Sequence, residues 1–309
     1  MQALVEKAIA ARPPRENHSV ARLPVMRLLP EKSYGRIGSL EVKLARGKRD
    51  MIAAQRLRYE VFYEEMSATS GPLAKMRRRD HDPYDAGCDH LLVVDRAPGD
   101  GSEPWINNRV PKVVGTCRVL RQEIAERNSG FYTQNEYDIA PLVARRSPAY
   151  RFMELGRSCV LKPYRNKRTV ELLWHGLWTY VREHKVDVMI GCASFEGTDP
   201  RAHAMALSFL HHHALAPEDW RCRAHEHRYV PMDLVAKNKV DAKAALKAIP
   251  PLIKGYLRLG AFVGDGAVID HQFGTIDVLI ILPVEKIDSR YFGHFGPPGE
   301  LKSRVAGDD

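Results

Sequence analysis

The sequence predicts an α/β or α+β protein built around one central mixed sheet flanked by helices. Three observations support this class: the alternation of Ser39–Leu44, the two strongly β-like segments His90–Asp95 and Lys112–Leu120, and the helical spacing of apolar residues in Thr169–His184. No Gly-x-Gly-x-x-Gly motif opens a helix and no Walker loop is present, which argues against the nucleotide-binding folds that carry them.

The remaining elements follow from apolar periodicity and from turn residues. Gly156 lies inside a predicted strand, where a glycine often marks a bulge or the close approach of a ligand. Asp199 is a suitable N-cap for the helix that follows it. In chain order the pattern predicts a helix over Asp50–Phe62, a polar loop over Ser67–Asp89, a long hairpin connection over Pro98–Pro111, a short helix over Gln122–Arg127, strands over Phe152–Leu161 and Asp187–Ser194, helices over Pro200–Leu215 and Ile249–Gly260, and a strand over Thr275–Leu282.

Domain organisation follows from shifts in composition. Residues 1–38 form a basic leader, rich in Pro and Arg and without a clear period, which we expect to be flexible or loosely docked. Residues 39–296 contain the predicted elements and form one domain. Residues 297–309 form a polar tail.

The composition is that of a soluble globular protein. The chain has 309 residues, of which 44% are hydrophobic and 28% are charged. No apolar run reaches the roughly 18–20 residues that span a bilayer. The five cysteines include no Cys-x-x-Cys pair, which predicts reduced thiols in a cytoplasmic protein rather than a disulfide framework or a zinc site.

The net charge of +9 and the pI of about 9.3 constrain the partners of the protein. Nucleic acid, an anionic membrane face and an acidic carrier protein all suit a basic surface. No nucleic-acid-binding motif is present, so binding to DNA or RNA would depend on net charge alone. We therefore expect no nucleic-acid partner.

A basic loop joins the strand at 152–161 to the long helix. Five cationic residues and no acidic ones lie between Leu155 and Val170. A helix N-terminus presents free N–H groups and a partial positive charge, so this loop is a candidate phosphate site. The alternative is a basic loop that is merely solvated. The five cations are Arg157, Lys162, Arg165, Lys167 and Arg168.

Glu154 is the strongest candidate for a catalytic base. It lies among Phe152, Met153 and Leu155, and an apolar setting raises the pKa of a carboxylate towards neutral pH. The alternative is a structural ion pair with a nearby arginine, Arg118 or Arg157.

Four aspartates in one loop are candidates for binding a cation, either an ammonium group or a metal ion. Their spacing lacks the glycine and the terminal glutamate of a calcium-binding loop, and no metal site is predicted. The alternative is that they offset the neighbouring arginines Arg77–Arg79. The aspartates are Asp80, Asp82, Asp85 and Asp89.

The order of several short motifs resembles the acyl-carrier-protein-dependent N-acyltransferases of the GNAT-like superfamily, which include the acyl-homoserine-lactone synthases. The resemblance implies the GNAT-like acyl-CoA N-acyltransferase fold. The chain differs from acetyl-CoA-dependent enzymes of this superfamily in one place, because Arg165–Arg168 stands where those enzymes carry a Gly-rich pyrophosphate loop. The motifs are Leu57–Phe62, Asp82–Asp85, Asp89–Val93, Val114–Leu120, Phe131–Tyr137 and Glu154–Val160.

Four further segments resemble the bacterial L-ornithine Nα-acyltransferase family, and the similarity runs from about Leu40 to Phe295. It implies transfer of a 3-hydroxyacyl group from acyl carrier protein to the α-amine of L-ornithine, the first step of ornithine-lipid synthesis. No permanently bound cofactor is implied, since the donor is the acyl-phosphopantetheine of the carrier. The segments are Arg165–Trp174, Gly191–Phe195, Pro250–Tyr256 and Phe273–Val278.

The resemblance supplies shared positions, and to these we add roles for individual residues as a physical hypothesis. We expect Glu154 to act as base, with Arg157 beside it, and an N–H group near Gly156 to stabilise the oxyanion. Arg118 or Arg157 would hold the acceptor carboxylate, and Asp82 or Asp85 its side-chain ammonium. The shared polar and aromatic positions for substrate are Arg58, Phe62, Asp82, Asp85 and Arg118, and those for phosphopantetheine and carrier are Gly156, Arg165, Asn166, Lys167, Arg168 and Thr169.

Two other functions are consistent with the same residues. One is the same acyl transfer to glycine, serine, glutamine or lysine. The other is a basic, membrane-associated binding protein without catalysis. Peripheral contact with the inner membrane is compatible with catalysis as well, through the leader or through Leu246–Leu259, since the product is an amphiphile.

Overall fold

The computed structural model describes residues 32–97 and 111–287. Within these residues eight strands form one sheet in the order β1-β2-β3-β4-β5-β6-β8-β7, and neighbours are antiparallel except for the parallel pair β5–β6. This is the mixed sheet that the sequence predicts. The strands are β1 Ser33–Ile37, β2 Leu40–Leu44, β3 Asp89–Asp95, β4 Lys112–Arg121, β5 Phe152–Val160, β6 Val188–Glu196, β7 Phe262–Asp270 and β8 Thr275–Pro283.

Helices flank the sheet and connect its strands. A single π-helical turn, Glu60–Glu65, extends the first helix, and a 3₁₀ turn, Tyr132–Asn135, lies between the third and fourth. The helices are α1 Gly47–Tyr59, α2 Pro72–Arg77, α3 Gln122–Ala125, α4 Ala140–Arg146, α5 Lys167–Glu183, α6 Ala204–Ala214, α7 Ala242–Ala248 and α8 Pro251–Arg258.

Two strands were not predicted. β1 lies inside the segment assigned to the leader, so the sheet begins before the predicted boundary at residue 39. Gly35 lies at a register shift and interrupts the alternation of apolar and polar residues in β1. A search for residues that alternate with a period of two therefore does not detect this strand. β7 carries Gly264 and Gly266 at a second register shift, for the same reason. The rest of the leader, most of the predicted connection over Pro98–Pro111 and the polar tail lie outside the described residues.

The long helix α5 packs on the N-terminal part of the sheet. Its buried face includes Leu172, Leu177 and Tyr180, whereas Val170, which the periodicity placed on the apolar face, is 45% exposed. A Cβ added to Gly176 would lie 2.6 Å from a methyl group of Val42, so glycine permits this close approach of helix and strand.

The pairing of β5 with β6 stops after three residues. Phe152–Glu154 pairs with Val188–Ile190. Beyond these residues β5 continues to Val160 and β6 to Glu196, and the two strands make no further pairs with each other. One residue beyond the last pair the backbones come very close, because a Cβ on Gly191 would overlap the carbonyl oxygen of Leu155. The sheet therefore opens between these strands directly after Glu154.

A β-bulge lies on the same stretch of β5. Thr116 and Arg118 of β4 face Cys159 and Gly156, so β5 has one residue more than β4 in this interval. The backbone accommodates the extra residue at Arg157, whose φ is +50°. The prediction that Gly156 marks a bulge is confirmed, and the bulge points the following arginine away from the regular alternation of the strand.

None of the helices in the described ranges has both the length and the apolar character needed to cross a bilayer.

Gly191→Ala tests the close approach of β5 and β6. We expect the free energy of unfolding to fall by about 1–3 kcal/mol, because the added methyl group forces two paired backbones apart. Gly255→Ala in α8 is the matched control: it meets no atom within 4 Å and should stabilise by up to about 1 kcal/mol. Urea unfolding followed by circular dichroism measures both. Equal stability of the two variants would contradict the proposed constraint.

Candidate active site

A cavity of about 350 Å³ occupies the opening between β5 and β6. The apolar part of its lining includes Val61, Phe62, Met189, Leu252 and Tyr256. The polar and charged part includes Arg118, Tyr132, Thr133, Glu154, Arg157, Ser158, Arg165, Ser194, Asp270, Thr275 and Asp277. The arrangement suits a ligand with an apolar portion and a charged end.

Glu154 is buried at the cavity wall and is 4% exposed. Its carboxylate accepts hydrogen bonds from the backbone N–H of Tyr132 (2.8 Å) and of Thr133 (2.6 Å), and from the Thr133 hydroxyl. Burial raises the pKa of Glu154 above its ordinary value, although these donors act in the opposite direction. The direction is the one that the sequence analysis expects, and the hydrogen-bond partners of Glu154 lie in the 3₁₀ turn rather than on Arg118 or Arg157.

Beside the cavity, Arg58 is completely buried in an ion-pair network. Its Nη1 and Nη2 atoms each lie 2.8 Å from an oxygen of Asp85, and its Nε lies 2.8 Å from Oδ2 of Asp80. Gln55 donates a further hydrogen bond of 2.7 Å to Asp85. Burial alone would raise the pKa of Asp85, but Arg58 and Gln55 hold it well below its usual range. This network fixes α1 against the loop before β3.

Arg118 and Arg157 connect this network to the cavity. Arg118 Nη1 lies 2.9 Å from Oδ2 of Asp82, and Arg157 Nη2 lies 2.9 Å from the same oxygen. Both guanidinium groups also face the ring of Tyr132, at 5.6 and 5.0 Å from its centroid. Both arginines line the cavity, as the prediction for the acceptor carboxylate requires.

Asp82 and Asp85, which the sequence analysis proposed for the acceptor ammonium, are engaged by other groups of the protein. Oδ1 of Asp82 accepts a hydrogen bond from the backbone of Tyr84, and Oδ2 contacts Arg118 and Arg157. Both oxygens of Asp85 contact Arg58, and neither aspartate lines the cavity. These carboxylates are already neutralised inside the protein. Arg58 is likewise absent from the cavity wall, whereas Phe62 is present there.

The residues predicted to meet phosphopantetheine lie at the start of α5. Asn166 is the N-cap, and its side chain accepts a hydrogen bond of 3.1 Å from the backbone N–H of Thr169. Arg165 lines the cavity together with Gly156 and pairs with Glu65. The side chain of Lys167 is 84% exposed and lies 3.6 Å from Glu171, and Arg168 is exposed. The basic loop is thus partly paired and partly open to solvent.

The two cysteine thiols near the cavity are poor nucleophiles. Burial raises the pKa of Cys159 far above its ordinary value, which keeps the thiol protonated. Burial, followed by the negative charges of Glu136 and Asp277, raises the pKa of Cys192 in the same way. A mechanism without a covalent acyl-enzyme is therefore favoured.

Sequence reasoning missed a second group of acids, Glu136, Asp270 and Asp277. One carboxylate oxygen of each lies within 4.8 Å of one of the others. Asp270 and Asp277 line the cavity, and Glu136 is also buried. Glu136 is more than 130 residues away in the sequence from Asp270 and Asp277, and although Glu136 and Asp277 lie within the family-like segments Phe131–Tyr137 and Phe273–Val278, nothing in those segments indicated that the three acids meet.

Comparison with known proteins identifies the fold and the family. The acetyltransferase (GNAT) domain profile matches residues 57–175 of this chain. L-ornithine N(alpha)-acyltransferase of Agrobacterium fabrum is 54% identical over 270 residues, covering 87% of this chain and 89% of that protein. The protein of the same name from Rhizobium meliloti is 52% identical over 274 residues, covering 88% and 90%. Among solved structures, the AHL synthase LasI covers 83% of this chain and 96% of its own, with 14% identity and a TM-score of 0.43.

The profile match confirms the predicted GNAT fold, with its mixed sheet and flanking helices. The two relatives share more than half of their aligned residues with this chain over most of its length. Together with the buried glutamate at the opening of the sheet, they confirm the family that the motifs predicted: the chain is an acyltransferase that belongs to the L-ornithine Nα-acyltransferase family.

Proposed function

We propose that this protein transfers a 3-hydroxyacyl group from acyl carrier protein to the α-amine of L-ornithine and so forms lyso-ornithine lipid. The observation that carries the acyl-transfer chemistry is the Glu154 carboxylate, buried with a raised pKa at the wall of a half-apolar cavity. The names of the relatives support ornithine as acceptor. The basic surface supports an acidic carrier protein as donor.

Glu154 would act on the attacking amine. The α-ammonium must lose a proton before its nitrogen can attack, and a carboxylate with a raised pKa takes a proton more readily near neutral pH. A carboxylate has about four lone-pair sites, and Tyr132 and Thr133 donate three hydrogen bonds to Glu154, so one site is left for the substrate. The donors also hold the carboxylate in one orientation.

The acyl transfer then needs no further reactant. The freed nitrogen attacks the thioester carbonyl carbon, a C–N bond forms, and the C–S bond breaks as the tetrahedral intermediate collapses. The sulfur of phosphopantetheine leaves with the electron pair and takes up a proton. Backbone N–H groups of β5 beyond Glu154 have no partner on β6 and are suited to stabilise the oxyanion.

The donor would approach from the start of α5. The helix N-terminus and the cations Arg165, Lys167 and Arg168 suit the single phosphate of phosphopantetheine. Gly156 presents no side chain to the cavity and leaves room for the pantetheine arm. The apolar part of the cavity lining, with Phe62 and Met189, suits the start of the acyl chain.

Contact with the inner leaflet of the cytoplasmic membrane fits this reaction, because the product is an amphiphile. Leu246 and Leu252, in the segment that the sequence analysis singled out, are 43% and 46% exposed. Lys247 and Lys254 lie in the same two helices. Exposed apolar side chains flanked by cations are typical of surfaces that bind an anionic membrane.

Glu154→Gln tests the base. We expect kcat to fall by about 10²–10⁴-fold while the KM for acylated carrier stays unchanged, because the amide accepts no proton. Thiol release from acyl carrier protein, with mass spectrometry of the product, measures this. In the unmodified enzyme kcat/KM should decline as pH falls through the raised pKa, because the protonated carboxyl is no base. Glu123→Gln, at an exposed carboxylate, is the control. Near-normal turnover of Glu154→Gln would exclude the role.

Lys167→Glu combined with Arg168→Glu tests the donor surface. We expect the KM for acyl carrier protein to rise about 10-fold at low salt with kcat unchanged, and the effect to shrink as salt screens the charges. Arg182→Glu, an exposed cation at the other end of α5, is the matched control. An unchanged KM at low ionic strength would show that the carrier docks elsewhere.

A further inference from the structure

The acid group Glu136, Asp270 and Asp277 is built from three separate parts of the chain. Glu136 follows the 3₁₀ turn that binds Glu154, Asp270 ends β7, and Asp277 lies on β8. Their exposed fractions are only 2%, 8% and 7%. Burying three carboxylates side by side is costly unless a cation joins them.

The protein supplies little positive charge here. In the described part of the chain Arg228 is the cation paired with this group, and its guanidinium lies 4.0 Å from Oε1 of Glu136. Burial, and then the charge of Asp277, raises the pKa of Glu136 to about 7. Burial raises the pKa of Asp277 as well. The group therefore lacks cationic partners, in contrast to the Arg58 network.

A separate observation points to a missing donor. The Oε2 atom of Glu136 is buried and has no hydrogen-bond partner at bonding distance among the residues that the structure describes, and the only side-chain donor that acts on this carboxylate there besides Arg228 is the weakly donating Cys192 thiol. The other two carboxylates are held in place. Asp270 accepts backbone hydrogen bonds from Gln272 (2.7 Å) and Phe273 (3.0 Å), and Asp277 accepts one of 2.9 Å from the Thr275 hydroxyl. The site is fixed but incomplete.

The spacing of the acids fits a primary ammonium group. An alkylammonium has three N–H donors in tetrahedral directions, and charge-assisted hydrogen bonds of about 2.8 Å would place three acceptor oxygens about 4.6 Å apart. The oxygens of this group lie within 4.8 Å of one another, a limit that includes this separation. Three carboxylates are therefore close enough together to accept from the three donors of one ammonium.

The acid group shares one face of the sheet with Glu154. Glu154 stands opposite Ile190 and Asp277 stands opposite Ser194, and residues two apart on β6 point to the same side. The Cys192 thiol between them experiences the charges of Glu136, Asp277 and Glu154. A substrate in the cavity would therefore reach Glu154 with one end and the acid group with the other.

We infer that Glu136, Asp270 and Asp277 bind the side-chain ammonium of the acceptor and so select a diamino acid. This rests on the proposed function and deepens it. The α-amine would lie at Glu154, the α-carboxylate would face Arg118 or Arg157, and the short side chain of ornithine would extend to the acid group. It replaces Asp82 and Asp85 in the role that the sequence analysis gave them.

The experiment compares two acceptors, L-ornithine and L-norvaline, which has the same carbon chain without the side-chain amine. The unmodified enzyme should prefer ornithine by at least about 10³-fold in kcat/KM, because norvaline leaves buried carboxylates unpaired. Asp277→Asn and Glu136→Gln should raise the KM for ornithine by about 10–100-fold. The kcat/KM of both variants for norvaline should be unchanged or higher, so that the ratio of kcat/KM for ornithine to that for norvaline falls sharply. Glu123→Gln is again the control, and it should keep the preference.

Thermal unfolding gives a second readout that does not depend on turnover. Ornithine should raise the Tm of the unmodified protein and norvaline should not. Without ligand, Asp277→Asn should be at least as stable as the unmodified protein, because it relieves repulsion between buried carboxylates. Ornithine should then no longer raise its Tm. Loss of fold in both variants at every pH would show that these carboxylates are structural and would overturn the inference.

The remaining outcomes separate the two proposals. If the unmodified enzyme acylates no ornithine, the proposed function fails. If it does, and the variants keep the full preference over norvaline, only the present inference fails. A titration with Ca²⁺ or Mn²⁺ tests whether a metal ion, rather than an ammonium group, occupies the acid group. Metal binding that Asp277→Asn abolishes, together with loss of activity in EDTA, would make the group a metal site and overturn the inference.

Discussion

The site depends on one backbone constraint, the end of pairing between β5 and β6. Gly191 lets the two strands touch at the carbonyl of Leu155, and beyond that point each strand continues without the other. A gap in the middle of a sheet normally leaves costly unpaired N–H and C=O groups. Here that gap borders the cavity, and the unpaired groups become the polar surface on which an acyl thioester could rest.

Two groups of buried charge surround the cavity, and they differ in how they are neutralised. In the first, Asp82 and Asp85 meet the guanidinium groups of Arg58, Arg118 and Arg157 at hydrogen-bonding distance. Such a network positions its members, and its two carboxylates are already paired with guanidinium groups of the protein. In the second, the described residues contribute one ion pair to the three carboxylates, between Arg228 and Glu136 at 4.0 Å. The balance of charge, rather than the number of acids, separates a structural network from a binding site.

Most of the fold could be predicted from the sequence, because its strands and long helix have strong local periodicity. β1 and β7 could not, since glycines at register shifts break the alternation that reveals a strand. Glu154 was recognisable because an acid in an apolar strand is rare. The ion pairs of Asp82 and Asp85 could not be predicted, because only the fold shows that three arginines from α1, β4 and β5 contact them.

The positions of the residues in the sequence explain why sequence analysis found the proposed donor residues but not the proposed acceptor residues. The GNAT match ends at residue 175 and includes Glu154 and the start of α5, the parts that would handle an acyl donor. Asp270 and Asp277 lie beyond it, on two strands that pair with each other and place both acids over the cavity. The β7–β8 hairpin therefore carries two of the three acids to which we assign the recognition of the acceptor, and both lie outside the segment that matches the acetyltransferase profile.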